Sequence, residues 1–219
     1  MKTIEYQNRK YTLLGDTQAS TFLMYLVDES NPEDYKQIFQ KISHQSQVCM
    51  IAVAIHDWQG ELSPWSAPAI FGKHDFAGNA AKFLAELEGF WKWFKDEHNI
   101  ESNQMYLCGY SLAGLFALWA SSQTNLFTKI AAVSPSVWYF NFVEYMQRNP
   151  IQTREVYMSL GDKEANAKNK VMATVKDCFE AVIQIIQKQN ISLTYEYNPG
   201  NHFQDVELRM MKGIQQLLL

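Results

Sequence analysis

The sequence has 219 residues, of which 47% are hydrophobic and 19% are charged, and its formal net charge is −4. This length is enough for one domain with a full core, and the composition excludes a disordered chain. The absence of a stripe rich in Lys and Arg argues against nucleic-acid binding, and no segment approaches the roughly 20 apolar residues of a membrane span.

The cysteines and the N-terminus bear on the cellular compartment. Cys49, Cys108 and Cys178 are odd in number and form no Cys-x-x-Cys motif, which is typical of reduced thiols in a cytosolic protein. Residues 1–7 have no apolar stretch suited to a signal peptide. We therefore expect a cytoplasmic protein.

Short apolar runs alternate with longer amphipathic segments along the chain. The first twenty residues are predicted to form one or two antiparallel edge strands. Further strands are predicted at 22–27, 48–55, 104–108, 130–133, 156–160 and 192–197. Helices are predicted at 32–43, 78–98, 112–122, 138–147, 165–189 and 206–218. This alternation predicts an α/β fold, with a mostly parallel sheet covered by helices on both faces. The active site of such a fold lies at the carboxyl ends of the strands.

A serine-containing turn follows the predicted strand 104–108. Residues Gly109–Gly114 read Gly-Tyr-Ser-Leu-Ala-Gly, which is the Gly-x-Ser-x-Gly nucleophile-elbow pattern with Ala113 in the last place. The small residues allow a sharp turn that exposes the Ser111 hydroxyl and directs the Leu112 amide to the same spot. We predict that Ser111 is a nucleophile and that Leu112 donates to an oxyanion. The alternative is that Ser111 only caps the helix.

A serine nucleophile needs a base to take its proton, and His202 is the only histidine after Ser111. In α/β hydrolases the triad order along the chain is serine, acid, histidine. His202 lies between the last predicted strand and the closing helix, where that fold needs its histidine. We predict that His202 is the base, and the alternative is a solvated loop residue.

The acid is expected after the strand 156–160, where the chain reads Gly161-Asp162-Lys163-Glu164. A carboxylate there would orient the imidazole and stabilise its cationic form. Members of the α/β-hydrolase fold commonly place the acid three residues after a glycine at the strand end, which selects Glu164. Asp162 is the alternative acid. A dyad without an acid also stays open, because a backbone carbonyl can orient an imidazole.

Four segments resemble the esterase family of the α/β-hydrolase superfamily that includes esterase D, feruloyl esterases and enterobactin esterases. They are the elbow and residues 24–28, 134–139 and 200–203. The most specific is 134–139, which is similar to the family's Ser-Pro-Ser-x-Trp-Trp segment. The resemblance implies the α/β-hydrolase fold, esterase activity and no cofactor. Since no linker or lid insertion is visible, we expect a single domain over 1–219 without a large lid.

The resemblance also implies a second oxyanion donor from the backbone of the loop after the first family segment. The family has glycine after the aspartate of that segment, whereas this chain has Glu29. The donor is therefore expected within 28–30, with the Glu29 amide as the candidate. The Glu29 side chain adds negative charge near the developing oxyanion.

A long aromatic loop follows the strand 48–55. Its tryptophans, Trp58 and Trp65, are predicted to line a substrate pocket together with Tyr110 and Trp138. The alternative for each tryptophan is that it packs its loop onto the domain. The pairs His56-Asp57 and His74-Asp75 match no metal-ligand spacing, so we expect no metal.

These features predict a serine carboxylic-ester hydrolase that acts on a small soluble ester through an acyl-enzyme, without nucleic-acid or membrane partners. A thioesterase or an acyltransferase would use the same residues. A non-catalytic binding scaffold on the same fold is the remaining alternative. A homodimer stays open.

Overall fold

The computed structural model describes residues 1–28, 34–42, 47–101 and 104–219. It contains a central sheet of eight strands. The strands of the chain are β1 (Lys2–Tyr6), β2 (Arg9–Leu14), β3 (Thr21–Asp28), β4 (Val48–Ile55), β5 (Ser66–Ala67), β6 (Phe76–Ala77), β7 (Met105–Tyr110), β8 (Phe127–Val133), β9 (Glu155–Gly161) and β10 (Ser192–Asn198). The central sheet has the order β1-β2-β4-β3-β7-β8-β9-β10, and β5 and β6 pair separately. Within the central sheet, the pairs β1–β2 and β2–β4 are antiparallel and the others are parallel, which confirms the predicted sheet and its antiparallel edge.

Helices cover both faces of this sheet. They are α1 (Asp34–Ile42), α2 (Trp58–Glu61), α3 (Ala80–His98), α4 (Leu112–Gln123), α5 (Phe142–Arg148), α6 (Val175–Gln187) and α7 (Val206–Leu217). One apolar cluster contains side chains of α1 and α7, and the other contains side chains of α3, α4, α5 and α6. Along β3, alternate side chains such as Met24 and Tyr25 enter opposite clusters. The strand is therefore apolar at almost every position because both of its faces are buried.

The helix predicted at 138–147 begins later than expected. Helix α5 starts at Phe142, after Asn141 in a left-handed conformation with φ of 57°. The residues before it form successive turns, in which the Tyr139 N–H donates to the Ser136 carbonyl at 3.0 Å and the Phe142 N–H donates to the Tyr139 carbonyl at 3.0 Å. The regularly spaced aromatic residues of this segment are therefore buried within turns and not along one face of a helix.

The long helix predicted at 165–189 is also wrong in its first part. Two short 3₁₀ helices, Glu164–Asn166 and Met172–Thr174, precede α6. The Asn169 side chain accepts the Val171 N–H at 2.9 Å, a local bond of the kind by which Asn competes with helix formation. The chain therefore winds across the carboxyl end of the sheet before α6 begins.

The long loop between β4 and α3 is anchored through its short helix α2. Asp57 caps α2 by accepting the Gly60 N–H at 3.0 Å. Buried Arg9 of β2 forms two hydrogen bonds of 2.9 Å with Glu61, which ends α2. Arg9 also bonds Glu86 of α3 at 2.8 Å. These contacts hold the aromatic loop against β2 and α3.

The sequence also makes predictions about membrane spans and about the cysteines. Among the described residues, no helix combines the length and apolar character that crossing a membrane requires. Cys49, Cys108 and Cys178 are free thiols, and the first two are buried. Burial raises the pKa of Cys49 to about 12, so this thiol stays protonated and unreactive at neutral pH.

Candidate active site

Ser111 occupies a strained turn between β7 and α4. Its backbone has φ of 60° and ψ of −119°, a conformation that costs a non-glycine residue about 1–3 kcal/mol and persists only when its surroundings enforce it. The Ser111 N–H donates to the Val133 carbonyl at 3.0 Å, and the Ser111 carbonyl accepts the Ser136 N–H at 3.1 Å. Helix α4 begins at Leu112, whose amide is therefore among the first helix N–H groups, which lack an intrahelical acceptor.

The glycine at the start of the turn is required by a close backbone approach. A β-carbon at position 109 would lie 2.3 Å from the Ala113 carbonyl oxygen and 2.8 Å from the Ala113 β-carbon. Only glycine fits at 109. The same geometry accommodates Ala113 in the last place of the elbow pattern, because its methyl group faces a residue without a side chain.

Three predicted site residues form one hydrogen-bonded chain at the carboxyl end of the sheet. His202 Nε2 lies 3.0 Å from Ser111 Oγ, and His202 Nδ1 lies 2.6 Å from Glu164 Oε2. In serine hydrolases, contacts of this kind join a nucleophile to its base and the base to its orienting acid. Ser136 Oγ also lies 3.3 Å from Ser111 Oγ.

The Glu164 carboxylate is buried, and both of its oxygens form hydrogen bonds. Its Oε1 accepts the Gly161 N–H at 2.7 Å, on the side opposite His202. Burial by itself would raise the pKa of this carboxyl, but the hydrogen bond and charge of His202, with further bonds from Ser134 and Gly161, hold the pKa below its ordinary value. The side chain is therefore an anion at neutral pH.

Gly161 allows the loops that carry the acid and the histidine to meet. A β-carbon at this position would lie 2.5 Å from the Gly200 carbonyl oxygen and 2.9 Å from Glu164 Oε1. The glycine three residues before the acid thus has a steric reason in this chain.

Asp162, the alternative acid, has a different set of partners. Its Oδ1 accepts the Gly200 N–H at 2.8 Å, and its own N–H donates to the Asn198 carbonyl at 2.8 Å. It thereby joins the loop after β9 to the loop that carries His202.

Arg209 of α7 contacts the Glu164 carboxylate and is not among the predicted site residues. The side chain is fully buried. Its Nη1 donates to Glu164 Oε1 at 3.2 Å and to Ser134 Oγ at 3.3 Å, and its Nη2 donates to the Pro199 carbonyl at 2.8 Å. One signal was present in the sequence, since Arg209 lies on the buried face of α7 with Met210, where a charge needs a partner.

We expect replacement of Arg209 by Met to lower the free energy of unfolding by about 3–5 kcal/mol, because it leaves a buried carboxylate without its cationic partner. Urea denaturation followed by circular dichroism measures the change. Arg209→Lys is the matched variant and should lose less, since it keeps the charge but not the paired donors of the guanidinium. A loss below about 1 kcal/mol in Arg209→Met would contradict a supporting role for the ion pair.

Tyr110, at the end of β7, and Ser134, just after β8, also contact Arg209. The Tyr110 hydroxyl donates to the His202 carbonyl at 2.7 Å and accepts from Arg209 Nη1 at 3.3 Å. Ser134 begins the family-like segment 134–139, is fully buried and has φ of 45°. The segment after β8 thus contacts both Arg209, through Ser134, and the elbow, through Ser136.

Two cavities flank His202 and the exposed ring of Phe203. The Ser111 cavity has a volume of about 420 Å³, and its lining includes Ser111, Trp58 and Tyr110. The lysine cavity has a volume of about 550 Å³; its lining includes Glu164 and five further residues that define it here, Lys163, Lys168, Trp138, Met172 and Val175. His202 and Phe203 line both cavities. Phe203 is 83% exposed, so its ring is available to a bound molecule.

The other predicted site residues are Trp65 and those of the loop 28–30. Trp65 lines neither cavity. Its indole N–H donates to the Phe140 carbonyl at 3.1 Å, and its ring packs against Tyr139 and Tyr145, which is the packing alternative for this tryptophan. Asp28 ends β3 and lines the Ser111 cavity. Glu29 and Ser30, the candidates for a second oxyanion donor, lie outside the described residues.

The aspartates of the pairs His56-Asp57 and His74-Asp75 make local hydrogen bonds. Asp57 caps α2, and Asp75 Oδ1 accepts the Ala69 N–H at 2.9 Å. Within 1–28, 34–42, 47–101 and 104–219, no three His, Cys, Asp or Glu side chains cluster in a way that could hold a metal ion.

Comparison with solved structures identifies the class of fold. An IroE-like serine hydrolase from Shewanella oneidensis superposes with a TM-score of 0.80 at 17% identity, over 99% of this chain and 79% of that one. The siderophore hydrolase EstA from Aspergillus nidulans gives 0.75 at 17% identity, over 99% and 92% of the two chains. The enterobactin esterase FES from Shigella flexneri gives 0.71 at 14% identity, over 95% and 55%. The chain has the α/β-hydrolase fold, as predicted.

Sequence comparison gives no closer relation. No protein-family model matches the chain, and no curated protein matches it. At these levels of identity the solved structures show the fold alone.

Proposed function

We propose that this protein is a serine carboxylic-ester hydrolase. The observation that carries the proposal is the unbroken hydrogen-bonded chain from Glu164 through His202 to Ser111, with the serine in a strained elbow before α4. A serine that only capped the helix would not need a histidine and a buried carboxylate behind it. The similar structures are named as hydrolases or esterases, which supports the proposal.

The proposed reaction runs through an acyl-enzyme. Ser111 Oγ attacks the acyl carbon while His202 Nε2 takes the hydroxyl proton, and Glu164 stabilises the imidazolium. The Leu112 N–H, at the helix N-terminus, donates to the oxyanion, and the backbone of 28–30 is the proposed source of a second donor. His202 then gives its proton to the departing alcohol oxygen, and a water activated by His202 releases the acid.

The proposed substrate is a small soluble ester. The two cavities at His202, of about 420 and 550 Å³, are of the size that small-molecule sites have. Tyr110, Trp58 and Trp138 line them and are the proposed aromatic contacts with the substrate. The three free cysteines favour a reducing compartment, which supports a cytoplasmic location.

Active-site labelling tests the proposal. We expect a fluorophosphonate probe to modify Ser111 in about one-to-one ratio, located by mass spectrometry of the labelled peptide, and to abolish hydrolysis of p-nitrophenyl acetate and butyrate. Protein unfolded in urea before labelling is the control, because an unactivated serine does not react. Folded protein that neither labels nor cleaves any ester would favour a non-catalytic scaffold.

A further inference from the structure

The lysine cavity adjoins His202 and is separate from the Ser111 cavity. His202 and Glu164 line this cavity, whereas Ser111 is not among its lining residues. The Ser111 cavity, in contrast, is lined by both Ser111 and His202. Because His202 gives its proton to the alcohol oxygen, that oxygen has to lie next to the imidazole. An alcohol portion bound next to the imidazole can extend into the lysine cavity, which is the one of the two that does not contain the nucleophile.

The charge of the lysine cavity is positive. Lys163 and Lys168 line it and are exposed to solvent, as Lys170 is. Within the described part of the chain neither of the two ammonium groups forms an ion pair. The lining contains one carboxylate, Glu164, whose oxygens already accept bonds from His202 and Arg209. Two positive charges thus remain for a ligand, on a protein whose formal net charge is −4.

One wall of the lysine cavity is apolar, and Asn166 and Asn201 add polar groups elsewhere in the lining. Trp138 is buried apart from 6% of its surface, and it lines the cavity with Met172 and Val175. This wall exists because the segment before α6 turns through two 3₁₀ helices instead of continuing as one helix. A cavity with an apolar wall and two cations suits a ligand with an apolar body and an anionic end.

We propose that the ester's alcohol portion carries an anionic group of the carboxylate type, which Lys163 and Lys168 bind while the apolar body of the alcohol packs against Trp138. This inference rests on the proposed function and names the substrate class of the same site. The lysines act as specificity determinants, so their removal should affect charged alcohols and leave the chemistry of neutral esters intact.

Two esters that differ in one charge test the inference. Hydrolysis of 4-acetoxybenzoate and of 4-acetoxybenzamide by water releases acetate and a 4-substituted phenol, and only the first phenol carries a carboxylate. For Lys163→Gln/Lys168→Gln we expect kcat/KM to fall about tenfold with 4-acetoxybenzoate and by less than about twofold with the amide, as two partly screened charge pairs allow. The effect should shrink in high salt. Lys170→Gln is the matched control, since exposed Lys170 lies in the same segment but outside the cavity lining.

The outcomes separate this inference from the proposed function. Equal changes on both esters, or the same selective loss in Lys170→Gln, would overturn the inference while the hydrolase proposal stands. A loss confined to 4-nitrophenyl hemisuccinate, whose charge is in the acyl portion, would overturn the assignment of the cavity to the alcohol. If the wild-type protein cleaves neither neutral nor charged esters and does not react with the fluorophosphonate, the proposed function fails and the inference fails with it.

Discussion

Ser111→Ala and His202→Ala should each lose about three or more decades of kcat/KM on p-nitrophenyl acetate and butyrate. Without Ser111 Oγ no acyl-enzyme can form, and without His202 Nε2, which lies 3.0 Å from that oxygen, nothing takes its proton. Because the two residues act as one unit, the double variant should be little worse than either single variant. Steady-state rates of p-nitrophenol release measure all three.

The control variants for this prediction are Ser66→Ala and His74→Ala, which change the same residue types at exposed positions outside the site. Both should keep activity within about twofold of the wild type, since surface changes away from special features have small effects. Thermal unfolding of every variant shows whether a loss of activity reflects a loss of fold. Wild-type activity in Ser111→Ala would mean that the elbow is a structural turn and that the mechanism is wrong.

Glu164→Gln should lower kcat by about two to four decades, whereas Asp162→Asn should lower it by less than about tenfold. The reason is their different partners: Glu164 Oε2 lies 2.6 Å from His202 Nδ1, but Asp162 Oδ1 bonds the Gly200 N–H. An amide at 164 removes the anion that stabilises the imidazolium and can offer its N–H to Nδ1, which would select the wrong tautomer. Rates at saturating ester concentration separate kcat from KM.

The pair Glu164→Gln and Asp162→Asn also discriminates between the acids considered from the sequence. The reverse order of effects would make Asp162 the acid, and activity within tenfold of wild type in both variants would indicate a dyad oriented by backbone groups.

Burial by itself would raise the pKa of Glu164, but the hydrogen bond and charge of His202 hold that pKa below its ordinary value. Its contribution to stability is therefore present above the unfolded carboxyl pKa, and it is lost as the pH falls through the folded value.

The sequence by itself determined the features that depend on neighbouring residues or on simple periodicity. The elbow was identified because Gly109, Ser111 and Ala113 lie within one turn, where steric requirements are local. The alternation of strands and helices followed from which faces must be buried, so that β4 was predicted with the bounds observed in the structure. Glu164 was preferred over Asp162 through its spacing from Gly161, for which the structure supplies a steric reason.

The tertiary structure alone decided the features that depend on contacts between distant parts of the chain. Ser111 and His202 are separated by 91 positions, and Arg209 is 45 positions from Glu164. No local pattern states which buried charges will be paired, so Arg209 was missed. The first part of the helix predicted at 165–189 is absent because side-chain bonds of Asn169 and the contact of Glu164 with His202 outweigh helical periodicity there. The same interruption of the helix forms the lysine cavity, whose charge depends on how that segment packs beside the loop that carries His202.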